Sequence, residues 1–227
     1  MSTELSPVDA TQREIIAALA VAPVFDAAAE LERRVEFLAA YLRRTGLSTY
    51  VLGISGGVDS LTAGCLAQRA VERLRAEGRE ATFIAMWLPY GVQKDEAEAQ
   101  ASLAVIRPDR LLTVDVRPAA DAMLAALKAG DLAFRDAAHE DFVLGNIKAR
   151  QRMIAQFAVA GAHNGIVIGT DHAAEALMGF FTKFGDGAAD ITPLTGLNKR
   201  RVRAVAQLLG APDALVREVL AHSCAAA

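Results

Sequence analysis

The sequence predicts an α/β fold, a doubly wound parallel sheet flanked by helices, and two observations carry that expectation. Four short apolar runs, TYVLGIS (residues 49–55), TFIAMWL (Thr82–Leu88), LLTVDV (Leu111–Val116) and GIVIG (Gly165–Gly169), alternate with longer stretches of helical period. Such alternation sets parallel strands side by side, with crossover helices on both faces. Three of the runs also lead into polar or glycine clusters: SGGVDS after the first, PYGVQKDE after the second and TDHAAE after the fourth. In open sheets of this kind ligands bind outside the carboxyl ends of the strands, near the switch in strand order.

The elements follow in order. Ile15, Ile16 and Leu19 give a brief helical periodicity within the first 22 residues. Asp26 can cap a second helix, whose apolar stripe is Leu31, Val35, Leu38 and Leu42. The run from Thr49 is β-branched and apolar and ends in glycines, as a buried strand entering a tight turn does. Further helices are expected at Val58–Arg75, Lys94–Ile106, Asp121–Leu127, around Glu140–Ala162, and at Lys199–Leu209. No low-complexity linker or internal repeat interrupts them, so residues 1–227 read as one domain.

Composition narrows the class. A chain of 227 residues, 53% hydrophobic and 22% charged, is long enough to bury a sizeable core. A formal charge of −3 argues against a nucleic-acid face, which needs clustered Lys and Arg, but leaves phosphorylated small molecules open. No apolar run approaches the roughly 20 residues that span a bilayer. The opening MSTELSPVDATQRE is polar and acidic, unlike a signal peptide. Cys65 and Cys224 lie far apart without metal-ligand spacing, which fits a reducing cytoplasm.

Chemistry concentrates in Ser55-Gly56-Gly57-Val58-Asp59-Ser60, between a strand and a helix. Gly56 and Gly57 allow backbone angles and a close approach that a β-carbon would block. The amides then face an anion at the positive end of the helix dipole. Ser55 and Ser60 can add hydroxyl donors, and Asp59 can hold a divalent cation against phosphates. The spacing is neither the Walker loop nor the dinucleotide fingerprint. A glycine turn whose Asp and Ser merely cap a helix is the plain alternative.

SGGVDS resembles the pyrophosphate loop of the N-type ATP pyrophosphatases, which activate a carbonyl as an adenylate and release pyrophosphate. Within that superfamily LPYGVQKDE (Leu88–Glu96), GNIKARQRM (Gly145–Met153), GTDHAAE (Gly169–Glu175), GFFTKFGDGAADITPL (Gly179–Leu194) and LNKR (Leu197–Arg200) resemble segments of the ammonia-dependent NAD synthetases, in that family's order. The likeness runs from about Ile15 to about Pro212.

The resemblance implies an adenine nucleotide alpha hydrolase-like fold and the ATP-dependent amidation of deamido-NAD by ammonia to NAD, AMP and pyrophosphate, in NAD biosynthesis. It implies that Gly53, Ile54, Ser55, Gly56, Gly57, Val58, Asp59, Ser60, Thr170 and Lys199 bind ATP, and that Asp59 and Glu175 hold Mg²⁺. Arg150, Lys183 and Asp190 match positions that contact deamido-NAD, and Phe180, Phe181 and Phe184 can flank its nicotinate ring. No covalent nucleophile is implied; positioning and electrostatics carry the rate. With no glutaminase domain, free ammonia is the implied donor, and a homodimer the implied assembly.

Taken singly, several of these residues have plainer readings. Glu175 can be a solvated acid at a helix start, Lys199 part of a basic face, the phenylalanines core. His163 and His172 lack a partner at ligand spacing, and no chemical role is assigned to them. Two features depart from the family. Trp87 stands where an arginine is usual; an indole stacks on adenine but neutralises no phosphate. After Leu215 the expected Thr-Ala-Asp-Leu-Glu-Asp loop and His-Lys segment are replaced by VREVLAHSCAAA. The alternatives are therefore another pyrophosphatase-loop amidotransferase, or an ATP-binding remnant with little turnover.

Overall fold

A computed structural model describes residues 7–91, 96–179 and 181–217. Its elements run α1 (Pro7–Ala18), α2 (Ala27–Thr45), β1 (Thr49–Gly53), α3 (Val58–Ala76), β2 (Thr82–Trp87), α4 (Glu96–Ile106), β3 (Arg110–Thr113), α5 (Arg117–Ala129), α6 (Ala137–Ala162), β4 (Gly165–Val167), α7 (Ala173–Met178), α8 (Lys199–Leu208) and α9 (Asp213–Arg217). The four strands form one parallel sheet in the order β3-β2-β1-β4. The chain steps outward from β1 to β3, then crosses back to place β4 on the other side of β1. The switch point thus lies between β1 and β4. Thr49 pairs with both Thr82 and Gly165, so the strands beside β1 start level with it.

Period-two alternation divides the central strands between two cores. Tyr50, Leu52, Phe83 and Ala85 enter one, closed by Leu31, Val35, Leu38 and Leu42 of α2, by α3 and by Val202 and Val205 of α8. Val51, Ile84, Met86 and Val167 enter the other, under Ala160, Phe157 and Val159 of α6. Both faces being covered explains why the runs of β1, β2 and β4 are almost wholly apolar. Asp26 caps α2 as expected, accepting from the Ala29 amide at 2.8 Å. Arg34 of α2 is buried and donates to the carbonyls of Pro193 and Thr195, anchoring the segment that leads into α8.

Boundaries differ in places. LLTVDV does not stay extended to Val116: β3 ends at Thr113 and α5 begins at Arg117, four residues before the expected Asp121. The Asp115 carboxylate turns the chain by accepting from the amides of Gly91 (3.0 Å) and Arg117 (2.9 Å). Pro118 in the first turn of α5 suits a helix start, where its missing N–H is not needed. Asp136 starts α6 earlier than Glu140, accepting from His139 N at 2.7 Å. The expected start of α4 at Lys94 lies outside the described residues. Helix α9 carries no periodic signal long enough to announce it.

Candidate active site

The loop after β1 is braced from three sides. Gly53 N donates to Gln156 Oε1 of α6 at 2.7 Å. Ser102 Oγ of α4 donates to the Gly56 carbonyl at 3.2 Å. Ser60 Oγ donates to the Gly57 carbonyl at 3.0 Å and accepts from Ser55 N at 3.2 Å. Ser60 is therefore a brace and not an outward donor: it is buried, and its hydroxyl proton is spent inside the loop. Ile54 and Val58 are buried in the core and can serve a ligand only through their backbone. Gly56 sits at φ +92, and Gly57 is the N-cap of α3 with no side-chain cap bond. No N-cap side chain takes up the first amides of α3, as an anion site requires.

Asp59, in the first turn of α3, meets residues from both later segments. Lys199 Nζ, at the start of α8, lies 2.5 Å from Asp59 Oδ2. His172 caps α7 and sets Nε2 3.5 Å from Asp59 Oδ1 and 3.9 Å from Glu175 Oε2. Asn198 caps α8 by accepting from Arg201 N at 3.1 Å and so fixes the turn that presents Lys199. Thr170 lies half-buried just past β4. The clusters after β1 and β4 thus converge at the switch point; Val92–Asp95 of the cluster after β2 lie outside the described residues.

Asp59 Oδ1 and Glu175 Oε2 are buried without hydrogen-bond partners, and Asp59, His172 and Glu175 each set a ligand atom within 4.8 Å of the others. Two hard carboxylate oxygens without partners fit Mg²⁺, which takes one or two protein carboxylates and completes its shell with phosphate oxygens and water. Burial, then the charge of Asp59, pushes the Glu175 carboxyl up to about 7. Burial also holds the His172 imidazole below its usual range, against the pull of Asp59. Asp171 is raised by burial and by Asp186.

Glu175 sets a testable pH dependence. In metal-free solution the folded protein keeps this proton until about pH 7, while the unfolded chain releases it near 4.5. The stability tied to the proton is full below the lower value and lost as pH rises through the upper one. Urea midpoints of the wild type should fall from about pH 5 to about pH 8, more steeply than those of Glu175→Gln. Parallel profiles would remove the carboxyl from this role.

Of the expected dinucleotide residues, Arg150 and Lys183 meet. Arg150 of α6 donates from Nε and Nη2 to the Lys183 carbonyl at 3.3 and 3.2 Å, and the Lys183 ammonium lies 5.1 Å from the centre of the Phe184 ring. Asp190 spends Oδ2 on the Val167 amide at 2.8 Å, closing the end of β4, and leaves Oδ1 for a ligand. Phe181 and Phe184 are 49% and 67% exposed, so neither belongs to the core; Phe180 lies outside the described residues. Trp87 is only 7% exposed, because it ends a strand covered on both faces, which leaves little of the indole for stacking on adenine. Gln156 was not anticipated; its only signal is its place on α6 six residues after Arg150.

Comparison with known proteins identifies the family. The family model for NAD synthase matches residues 30–220. The NH(3)-dependent NAD(+) synthetase of Streptomyces coelicolor is 70% identical over 210 residues, 92% of this chain and 76% of that protein. The NH(3)-dependent NAD(+) synthetase of Burkholderia cenocepacia is likewise 70% identical, over 92% of this chain and 74% of its own length. Among solved structures, NAD+ synthetase from Burkholderia pseudomallei superposes with a TM-score of 0.88 at 64% identity, covering 96% of this chain and 80% of that one. NMN synthetase from Francisella tularensis gives 0.75 at 31% identity, covering 88% and 77%.

Proposed function

The chain belongs to the NAD synthase family, and from that premise we propose that it joins ammonia to deamido-NAD, splitting ATP to AMP and pyrophosphate. The chemistry rests on one observation: an anion-ready loop set beside two unpartnered buried carboxylates at the sheet's switch point. The substrate rests on the likeness, at 70% identity, to NH(3)-dependent NAD(+) synthetases.

A carboxylate is a poor electrophile. Its oxygen attacks the α-phosphorus of ATP and pyrophosphate leaves; ammonia then attacks the acyl carbon, AMP departs and a proton is released. The amides of residues 56–59 hold the phosphates at the helix dipole, with Ser55 and Thr170 at the rim. Asp59 and Glu175 would hold Mg²⁺, which when bound would neutralise charge on the pyrophosphate. Lys199, in contact with Asp59, is placed to turn its ammonium to the same phosphates. Arg150 and Lys183 suit the anionic groups of deamido-NAD, and the free oxygen of Asp190 suits a ribose hydroxyl.

Incubation with ATP, Mg²⁺, ammonium and deamido-NAD should yield NAD, AMP and pyrophosphate in equal amounts. Use of xanthosine monophosphate or nicotinate mononucleotide in preference to deamido-NAD would overturn the substrate. Arg150→Ala and Lys183→Ala should each weaken deamido-NAD binding about tenfold and leave ATP binding nearly unchanged. Equal weakening of both ligands in calorimetry would place these residues elsewhere.

The reading includes a single domain over residues 1–227, supported by one sheet with a core on each face, and a homodimer. Leu111, Met123, Leu127, Phe142 and Ile154, on β3, α5 and α6, are each at least 37% exposed, which favours a partner surface there. Sedimentation should give twice the chain mass of 24.0 kDa; one species at the chain mass would refute the dimer. Cys65, a free buried thiol, accords with a cytoplasmic place of work. Among the described residues no helix is long and apolar enough to cross a membrane.

A further inference from the structure

His172 takes no part in the mechanism above, yet it is 3% exposed and sits between the two carboxylates. Its ring is oriented by backbone. Nδ1 accepts from Ala174 N at 3.2 Å and from Glu175 N at 3.4 Å. A ring nitrogen that faces two amide protons must offer its lone pair, since a proton there would oppose both. A neutral imidazole carries one proton, so in His172 it resides on Nε2.

That fixes what Nε2 can do. The cluster of Asp59, His172 and Glu175, with a ligand atom of each within 4.8 Å of the others, has the outline of a three-ligand metal site. A protonated Nε2, however, has no lone pair for a metal; it is a donor set among acceptors. Asp59 Oδ1, His172 Nε2 and Glu175 Oε2 are all buried and without a hydrogen-bond partner. Lys199 already takes Asp59 Oδ2, which leaves Oδ1 turned toward the imidazole.

We propose that His172 is a positioning residue, not a ligand: its Nε2–H donates to Asp59 Oδ1 and holds that carboxylate in the orientation that receives the cation. The proposal rests on the reading that Asp59 and Glu175 bind a divalent ion. At 3.5 Å the donor stands roughly half an ångström beyond the usual N–H···O distance, so a small swing of the carboxylate completes the bond. The same ring caps α7, which carries Glu175, so one side chain sets both acids.

The test uses a variant that keeps the cap and removes the donor. His172→Asn retains a side-chain oxygen for the α7 amides, a favoured N-cap arrangement, but is too short to reach Asp59. It should melt with the wild type. Its affinity for Mn²⁺, titrated by electron paramagnetic resonance with a non-hydrolysable ATP analogue on the protein, should fall about tenfold or more, the range typical of outer-shell partners. In ¹⁵N-histidine spectra of the wild type, Nε2 should stay protonated with and without Mg²⁺ and the analogue. Wild-type Mn²⁺ affinity in His172→Asn would reduce the residue to a cap, and loss of the Nε2 proton on adding Mg²⁺ would make it a ligand; either overturns the proposal. Should His172→Asn fold poorly, the wild-type spectra still decide. Neither readout involves deamido-NAD, so failure to make NAD would count against the function alone. A Mn²⁺ titration indifferent to Asp59→Asn would remove the cation reading and this inference with it.

Discussion

Asp59→Asn is expected to leave the protein folded and to lower AMP formation on the order of a hundredfold to a thousandfold, as removal of one preorganised charge-stabilising group does. The side chain stays isosteric and can still accept from Lys199, so packing around the first turn of α3 is retained. What is lost is the negative charge that makes this oxygen a ligand for a hard cation. Raised Mg²⁺ should recover part of the rate, since the defect lies in cation binding. A second readout separates this from general damage. Asp59 is, after burial, the largest contributor to the high Glu175 value, so in Asp59→Asn the Glu175-dependent stability loss should shift to lower pH. Near-normal AMP formation at ordinary Mg²⁺ would sink the assignment.

The sheet and the phosphate loop were legible because they rest on local facts. Short β-rich apolar runs such as TFIAMWL, bounded by turn residues, fit central strands covered on both sides, and a Gly-Gly turn between strand and helix needs no distant partner. The same logic ought to have placed Trp87 inside, since a residue of a doubly covered strand has little free face. The end of β3 was misjudged because periodicity alone decided it: the pattern of LLTVDV continues, whereas Asp115 turns the backbone by binding Gly91 and Arg117. Site residues were legible as types and not as pairs. Lys199 and Asp59 are 140 positions apart, and nothing local in either segment says that an ammonium meets that carboxylate. The role of His172 depends on which ring nitrogen meets the α7 amides, a matter of dihedral angles that a motif does not record.

Two adjacent glycines should fail differently, and the contrast locates the phosphate. At Gly56 φ is +92, where a side chain is strained, and an added β-carbon would lie 2.9 Å from Ala99 N and 3.0 Å from Glu98 Cβ. Relief requires α4 to retreat or the loop to flatten, and either breaks the Ser102 bond to the Gly56 carbonyl. Gly56→Ala should therefore lose about 1–3 kcal/mol of stability and weaken ATP at least tenfold, because the amides behind it rotate away. Gly57 differs: its φ is −70 and an added β-carbon would meet only Ser55 Oγ, at 3.6 Å. Gly57→Ala should melt close to the wild-type temperature, since the reduced freedom of the unfolded chain offsets the poorer N-cap that alanine makes. Yet if ATP phosphates rest on this turn, the new methyl occupies the space they approach, and ATP affinity should fall by a similar factor with the fold intact. Differential scanning calorimetry and ATP titration on both variants decide the matter. A Gly57→Ala protein that binds ATP like the wild type would mean that the phosphates do not rest on this turn.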